Sequence, residues 1–188
     1  MQTFDPAEQT WLVVPLYNEA QVVAEVIANA RKTFPNVVCV DDGSRDDSAA
    51  QARSAGAIVV SHPLNLGQGA ALQTGITYVL TRTNARYIAT FDSDGQHSTD
   101  DMAMVRRAHD EDLAIVLGSR FLEGTADTGT LKRIVLRTAA WVGSKTSGMK
   151  LTDAHNGLRL LRRDAAEKLD LHQNRMAHAS EIIRQLGA

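Results

Sequence analysis

Short apolar runs along the chain alternate with longer stretches whose apolar residues recur every three or four positions. Trp11-Leu12-Val13-Val14-Pro15, Val37 to Val40, Ala57-Ile58-Val59-Val60, Tyr87 to Phe91 and Leu113 to Leu117 read as strands. Pro15 is expected to end the first of them. Between the first two runs, Val22, Val23, Val26, Ile27, Ala30 and Phe34 fall at helical spacing, with Glu19 and Gln21 near the N-terminal end. Asp46 to Ala55 and Gly69 to Leu80 predict two more helices. Thr99 can cap another that runs through Met102, Met104, Val105 and Ala108. Strands alternating with helices imply an α/β fold, a mostly parallel central sheet with helices on both faces. Beyond Gly118 the pattern loosens. Glu123 to Thr130 reads as a loop, Leu131 to Lys145 as a helix, Leu158 to Leu161 as a short strand and Met176 to Leu186 as a helix.

In an open parallel sheet, ligands gather outside the carboxyl ends of the strands. The polar motifs fall there. Tyr17-Asn18-Glu19 follows the first strand, Asp41-Asp42-Gly43-Ser44 the second, and Asp92-Ser93-Asp94-Gly95-Gln96-His97 the fourth. Tyr17 offers a face for a base to stack on, and Glu19 can accept from a base or ribose. Equally, Asn18 can be a helix cap and Glu19 a first-turn acid. Asp42, at the tip of a strand, is placed for a ribose hydroxyl or a base donor, while Ser44 or Asp46 can cap the next helix. Asp92 and Asp94 point to one side of an extended chain and supply hard oxygen ligands suited to Mg2+ or Mn2+. His97 reads either as a ligand or as a structural histidine. Asn65-Leu66-Gly67-Gln68-Gly69 has the look of a phosphate-cradling turn without its third glycine. Gly67 and Gly69 are explained as well by a tight turn and close helix packing. Arg120 suits a bidentate phosphate contact or a salt bridge to a site carboxylate. Asp153 reads as a general base, as a group that positions a sugar hydroxyl, or as the partner of Arg159.

Composition narrows the class. The chain has 188 residues, 44% hydrophobic and 22% charged, which suits one domain with a sizeable core. A net charge of -2 argues against a nucleic-acid partner. Basic residues outnumber acids from Lys132 to Arg184, so that third can face anions. The lone Cys39 lies in an apolar run and reads as a core residue. No secretory leader and no membrane-length apolar run is visible, so a cytoplasmic location is expected, with peripheral contact at the inner face of a membrane left open. Oligomeric state leaves no mark.

The segments VVPLYNEA, VDDGSRDDS, NLGQGAALQTGI, FDSDGQHSTDDM, GSRF and TDAHNGLRLLRRDA occur in the order seen in inverting family 2 glycosyltransferases. Together they resemble that family, and most closely its polyprenyl-phosphate sugar transferases of the dolichol-phosphate mannosyltransferase type. The resemblance implies the GT-A (Rossmann-like) fold over a single domain, 1–188, cut short at its C-terminus. It implies transfer of a sugar from a nucleotide-diphosphate sugar, with Mg2+ or Mn2+, to a polyprenyl phosphate. Pro15, Tyr17, Glu19, Val40 and Asp42 are then expected around the nucleotide base. Asp92, Ser93 and Asp94 meet ribose and diphosphate, Asp92, Asp94 and Gln96 hold the metal, and Arg120 contacts donor phosphates or sugar. Asp94, Arg120 and, as the weaker candidate, Asp153 are the expected catalytic residues. Three other functions compete: transfer to a saccharide hydroxyl, a donor-binding module without turnover, and a nucleotidyltransferase. The last needs a Gly- and Lys/Arg-rich phosphate loop at the first strand, which Pro15 to Ala20 does not contain.

Overall fold

The computed structural model describes residues 5–90, 100–117, 158–171, 181–182 and 185. The strands are β1 (Thr10–Leu16), β2 (Asn36–Asp41), β3 (Ile58–Ser61), β4 (Tyr87–Thr90), β5 (Ile115–Leu117) and β6 (Arg159–Arg162). The helices are α1 (Val23–Ala30), α2 (Ser48–Ser54), α3 (Gln68–Arg82), α4 (Asp100–Asp110) and the single turn α5 (Arg163–Ala166). One six-stranded sheet has the order β3-β2-β1-β4-β6-β5. The neighbours from β3 to β4 run parallel, and β6 runs antiparallel to both β4 and β5. Five strands therefore point one way, as expected, and the strand read at Leu158 to Leu161 is the reversed one.

Alternation along each strand divides the core between two layers. Leu12, Val14 and Leu16 of β1, with Cys39, Tyr87 and Leu160, pack on one face with Val23 and Ile27 of α1 and Val105 and Ala108 of α4. Val13, Val38, Ile88 and Leu161 face the other way, onto Leu72, Ile76 and Val79 of α3. Cys39 is a core residue, and burial pushes its thiol up to about 12, which leaves it inert at neutral pH. The hydroxyl of fully buried Tyr87 donates to the carbonyls of Ala108 (2.6 Å) and Leu113 (2.9 Å), which ties β4 to the end of α4. Arg163 of α5 donates to the carbonyls of Leu80, Thr83 and Ala85 and so covers the C-terminal end of α3. Among the described residues no helix is long and apolar enough to cross a membrane.

One expectation about β1 is corrected. The strand does not stop at Pro15 but continues to Leu16, with Pro15 opposite Val40 of β2. Leu16 accepts from the Asp42 N–H on the β2 side, so Pro15, one residue back, turns its missing donor away from β2. Pairing to β4 ends at Val13↔Thr90, so no ladder bond among the described residues is lost there.

Gly75 sets how closely α3 sits on the sheet. A Cβ at that position falls 2.3 Å from Val13 Cγ1 and 3.2 Å from Val40 Cγ2, both fully buried side chains. In an exposed helix Gly→Ala gains about 1 kcal/mol. Here overpacking reverses the sign, and Gly75→Ala is expected to destabilise the chain by about 1–3 kcal/mol in urea unfolding. A gain in stability would show that α3 is free to lift.

Candidate active site

The carboxyl ends of β1, β2, β3 and β4 open on one edge of the sheet, since these strands are parallel. The loops after β1 and β2 are stitched together there. Asn18 has a left-handed backbone (φ 55) that asparagine tolerates. Its N–H donates to Ser44 Oγ (2.9 Å), and its Oδ1 accepts from the Arg45 N–H (2.9 Å). The Glu19 N–H donates to Ser48 Oγ (2.7 Å) and the Ala20 N–H to Asp46 Oδ2 (3.1 Å). Asn18 is thus a loop staple and not a helix cap, because α1 begins only at Val23, with Val22 before it. Glu19 likewise precedes the helix, whose first-turn acid is Glu25. Neither expected cap stands at the cap position of α2, which is Asp47: Asp46, one residue further back, accepts from the Ser48 N–H (3.0 Å), and Ser44 is committed to Asn18.

These bonds leave Tyr17 44% exposed at the edge, with its ring available for stacking. Pro15 and Val40 are buried. The Val40 side chain packs toward Gly75, so any ligand contact at this residue goes through its backbone.

The two acids after β2 have different surroundings. Asp41 closes its own turn by accepting from the Ser44 N–H (3.2 Å). Asp42, only 3% exposed, reaches the loop between β3 and α3. Its Oδ1 accepts from the Leu66 N–H (2.8 Å) and from His62 Nδ1 (2.7 Å), and its Oδ2 accepts from the Gly67 N–H (2.7 Å). Gly67 caps α3 with φ 98, so the carboxylate lies at the positive end of that helix. The turn with the look of a phosphate cradle therefore holds the protein's own anion. Gly43, at φ 73, lets this happen: a Cβ there would meet the Leu64 carbonyl carbon at 2.6 Å and the Asn65 nitrogen at 2.8 Å.

His62 and Thr74 belong to the same cluster, with His62 Nε2 2.9 Å from Thr74 Oγ1. Neither stood out in the sequence. The available signal was position alone, since His62 follows the third parallel strand as Asp42 follows the second.

Asp92, Ser93, Asp94, Gln96, His97, Arg120 and Asp153 lie outside the described residues. The strand that leads to the first of them, β4, ends at buried Thr90, opposite buried Arg159 of β6. Among the described residues, no group of three or more His, Cys, Asp or Glu is placed to hold a metal ion. Asp92, Asp94 and Gln96 each carry a hard-oxygen side chain, a chemistry that fits Mg2+ or Mn2+.

Residues 11–170 match the family model described as Glycosyl transferase family 2. Over 182 residues the chain is 35% identical to an uncharacterized protein of Methanocaldococcus jannaschii, covering 94% of this chain and 74% of that one. It is 28% identical to the polyprenol monophosphomannose synthase of Mycolicibacterium smegmatis, over 90% of this chain and 67% of the synthase. Among solved structures it is similar to glucosyl-3-phosphoglycerate synthase from Mycobacterium tuberculosis, crystallised with Mn2+, UDP-glucose and phosphoglyceric acid. There the TM-score is 0.65 at 21% identity, covering 97% of this chain and 68% of the other. That likeness concerns the fold, which is the GT-A arrangement anticipated from the motifs. Because the family match runs from Trp11 in β1 to Asp170 beyond α5, on that sheet and with those strand-end loops, the chain belongs to glycosyl transferase family 2.

Proposed function

We propose that the chain is a metal-dependent, inverting sugar transferase using a nucleotide-diphosphate sugar and a polyprenyl phosphate. The observation that carries the donor half is the stitched edge of β1, β2 and β3. It presents an exposed aromatic ring, Tyr17, after β1 and a buried acceptor, Asp42, held by backbone N–H groups after β2. An aromatic face and a fixed acceptor suit a nucleobase, which stacks and donates N–H groups. The acceptor half is supported by the polyprenol monophosphomannose synthase among the relatives.

In this reading a phosphate oxygen of the lipid forms a bond to the anomeric carbon from the face opposite the leaving group. The bond from that carbon to the diphosphate breaks, and the nucleoside diphosphate departs with the electron pair. The lipid phosphate is already anionic and needs no strong base, so Asp153 has no obligatory proton to remove. Asp92, Asp94 and Gln96 would hold a divalent cation, which supplies charge compensation for the departing diphosphate when bound. Arg120 would add a cationic contact on the donor. The lipid acceptor assigns the work to a membrane surface, on the cytoplasmic side where nucleotide sugars are made.

The test is transfer from labelled UDP- and GDP-sugars, with Mn2+ or Mg2+, to polyprenyl phosphate in detergent. A lipid-extractable labelled product with release of nucleoside diphosphate is expected. Label moving only to a soluble saccharide would overturn the lipid acceptor, and pyrophosphate release would overturn the transferase reading.

A further inference from the structure

The Asp42 carboxylate is aimed by a side chain outside every motif of the site. We propose that His62, backed by Thr74, is a positioning residue for the nucleotide-sugar pocket, selecting which oxygen of Asp42 remains open to a ligand. This role rests on the donor reading given above.

The hydrogen-bond inventory carries the argument. A carboxylate only accepts, so the hydrogen in the 2.7 Å contact belongs to His62 Nδ1. In the neutral ring Nε2 is then an acceptor, and the Thr74 hydroxyl donates to it across 2.9 Å. Each carboxylate oxygen has two acceptor sites. Oδ1 spends both, on His62 Nδ1 and the Leu66 N–H. Oδ2 spends one, on the Gly67 N–H. The fourth site is therefore on Oδ2, and a ligand N–H or O–H has one place to bind.

Without the imidazole, Oδ1 also has an open site, in surroundings where Asp42 is almost wholly buried. The carboxylate then turns or draws in water, and its aim is lost. The position of His62 makes it the natural holder, because its N–H donates to the Asp41 carbonyl (2.8 Å) while its ring meets Asp42. Thr74 lies in α3, so the chain Thr74–His62–Asp42 ties the ends of β2 and β3 to that helix. Partners standing behind metal ligands change metal affinity or activity by about 10- to 100-fold, and an effect at the lower end of that range is expected for this aimed carboxylate.

The experiment uses the full chain and three variants, His62→Ala, His62→Asn and Thr74→Val, titrated calorimetrically with UDP-glucose and GDP-mannose in Mn2+. For a probe that binds the wild type, His62→Ala is expected to raise Kd about 10-fold and the donor KM alike, with kcat little changed. His62→Asn, whose Nδ2 can stand in for Nδ1, is expected to recover most of the loss. Thr74→Val should fall between. Without ligand, the Leu66 and Gly67 amides should exchange faster in His62→Ala. Wild-type Kd in His62→Ala overturns the positioning role and leaves the donor reading standing. Equal losses in His62→Ala and His62→Asn also overturn it, by showing that only the ring's bulk matters. If His62→Ala does not fold, unchanged Kd in both other variants overturns it. A wild type that binds neither probe defeats the donor reading and the positioning role together.

Discussion

Asp94→Asn is expected to abolish Mn2+-dependent binding and turnover of the nucleotide sugar while leaving the melting temperature within about a degree or two of wild type. The substitution keeps shape and removes one negative charge. A hard dication prefers anionic oxygen, and in the proposed set of Asp92, Asp94 and Gln96 only two ligands carry charge. Loss of one therefore halves the charge that the protein itself offers the ion. It also removes the compensation that the leaving diphosphate needs, and single losses of such electrostatic stabilisation cost about 100- to 1000-fold in rate. Calorimetric titration with UDP- and GDP-sugars, with and without Mn2+, is the direct measurement. Metal-dependent binding equal to wild type would remove Asp94 from the site.

The second large effect is at Asp42, where Asp42→Ala should cost stability as well as donor affinity. The carboxylate accepts from two backbone N–H groups and an imidazole, all in a nearly closed space. Bonds to a charged group contribute about 1.5–3 kcal/mol each, and alanine leaves buried donors without a partner. Losses in one cluster are not additive, so about 3–5 kcal/mol is expected in total. For a chain of this size that is a fall in melting temperature on the order of 10 °C. Below the new melting point, nucleotide affinity should be weakened while metal affinity persists. A variant that melts like wild type would show that the turn before α3 holds itself.

The pattern of the chain revealed much of this frame, for physical reasons. The runs at Val37 to Val40 and Tyr87 to Thr90 are buried on both faces, so they are largely apolar and easy to see. Val22 to Phe34 has one apolar stripe and one exposed face, which is what a helix on a sheet requires. Two of the three partners of Asp42 were hidden because they are backbone N–H groups 24 and 25 residues away, and a backbone donor has no letter in the sequence. The placement of Asn18 was missed for the same reason. Its staple depends on Ser44 and Arg45, and local capping rules do not see a second loop. Pro15 misled because the rule against proline in sheets concerns the missing donor, and here that donor faces away from β2. The antiparallel entry of β6 also has no local signature, since Arg159–Arg162 reads the same in either direction.

That reversed strand has a consequence for how relatives of this chain can diverge. Leu117 at the end of β5 pairs with Arg159 at the start of β6, so the two ends of the intervening stretch lie side by side in the sheet. Closing such an excursion costs only about 0.6 kcal/mol more for each doubling of its length. Segments of different length and composition can therefore be exchanged there with little penalty to the sheet. Arg120 and Asp153 both belong to that stretch, whereas Tyr17, Asp42 and His62 do not. The architecture separates an exchangeable cassette from a fixed frame, so selection can revise one without redesigning the other.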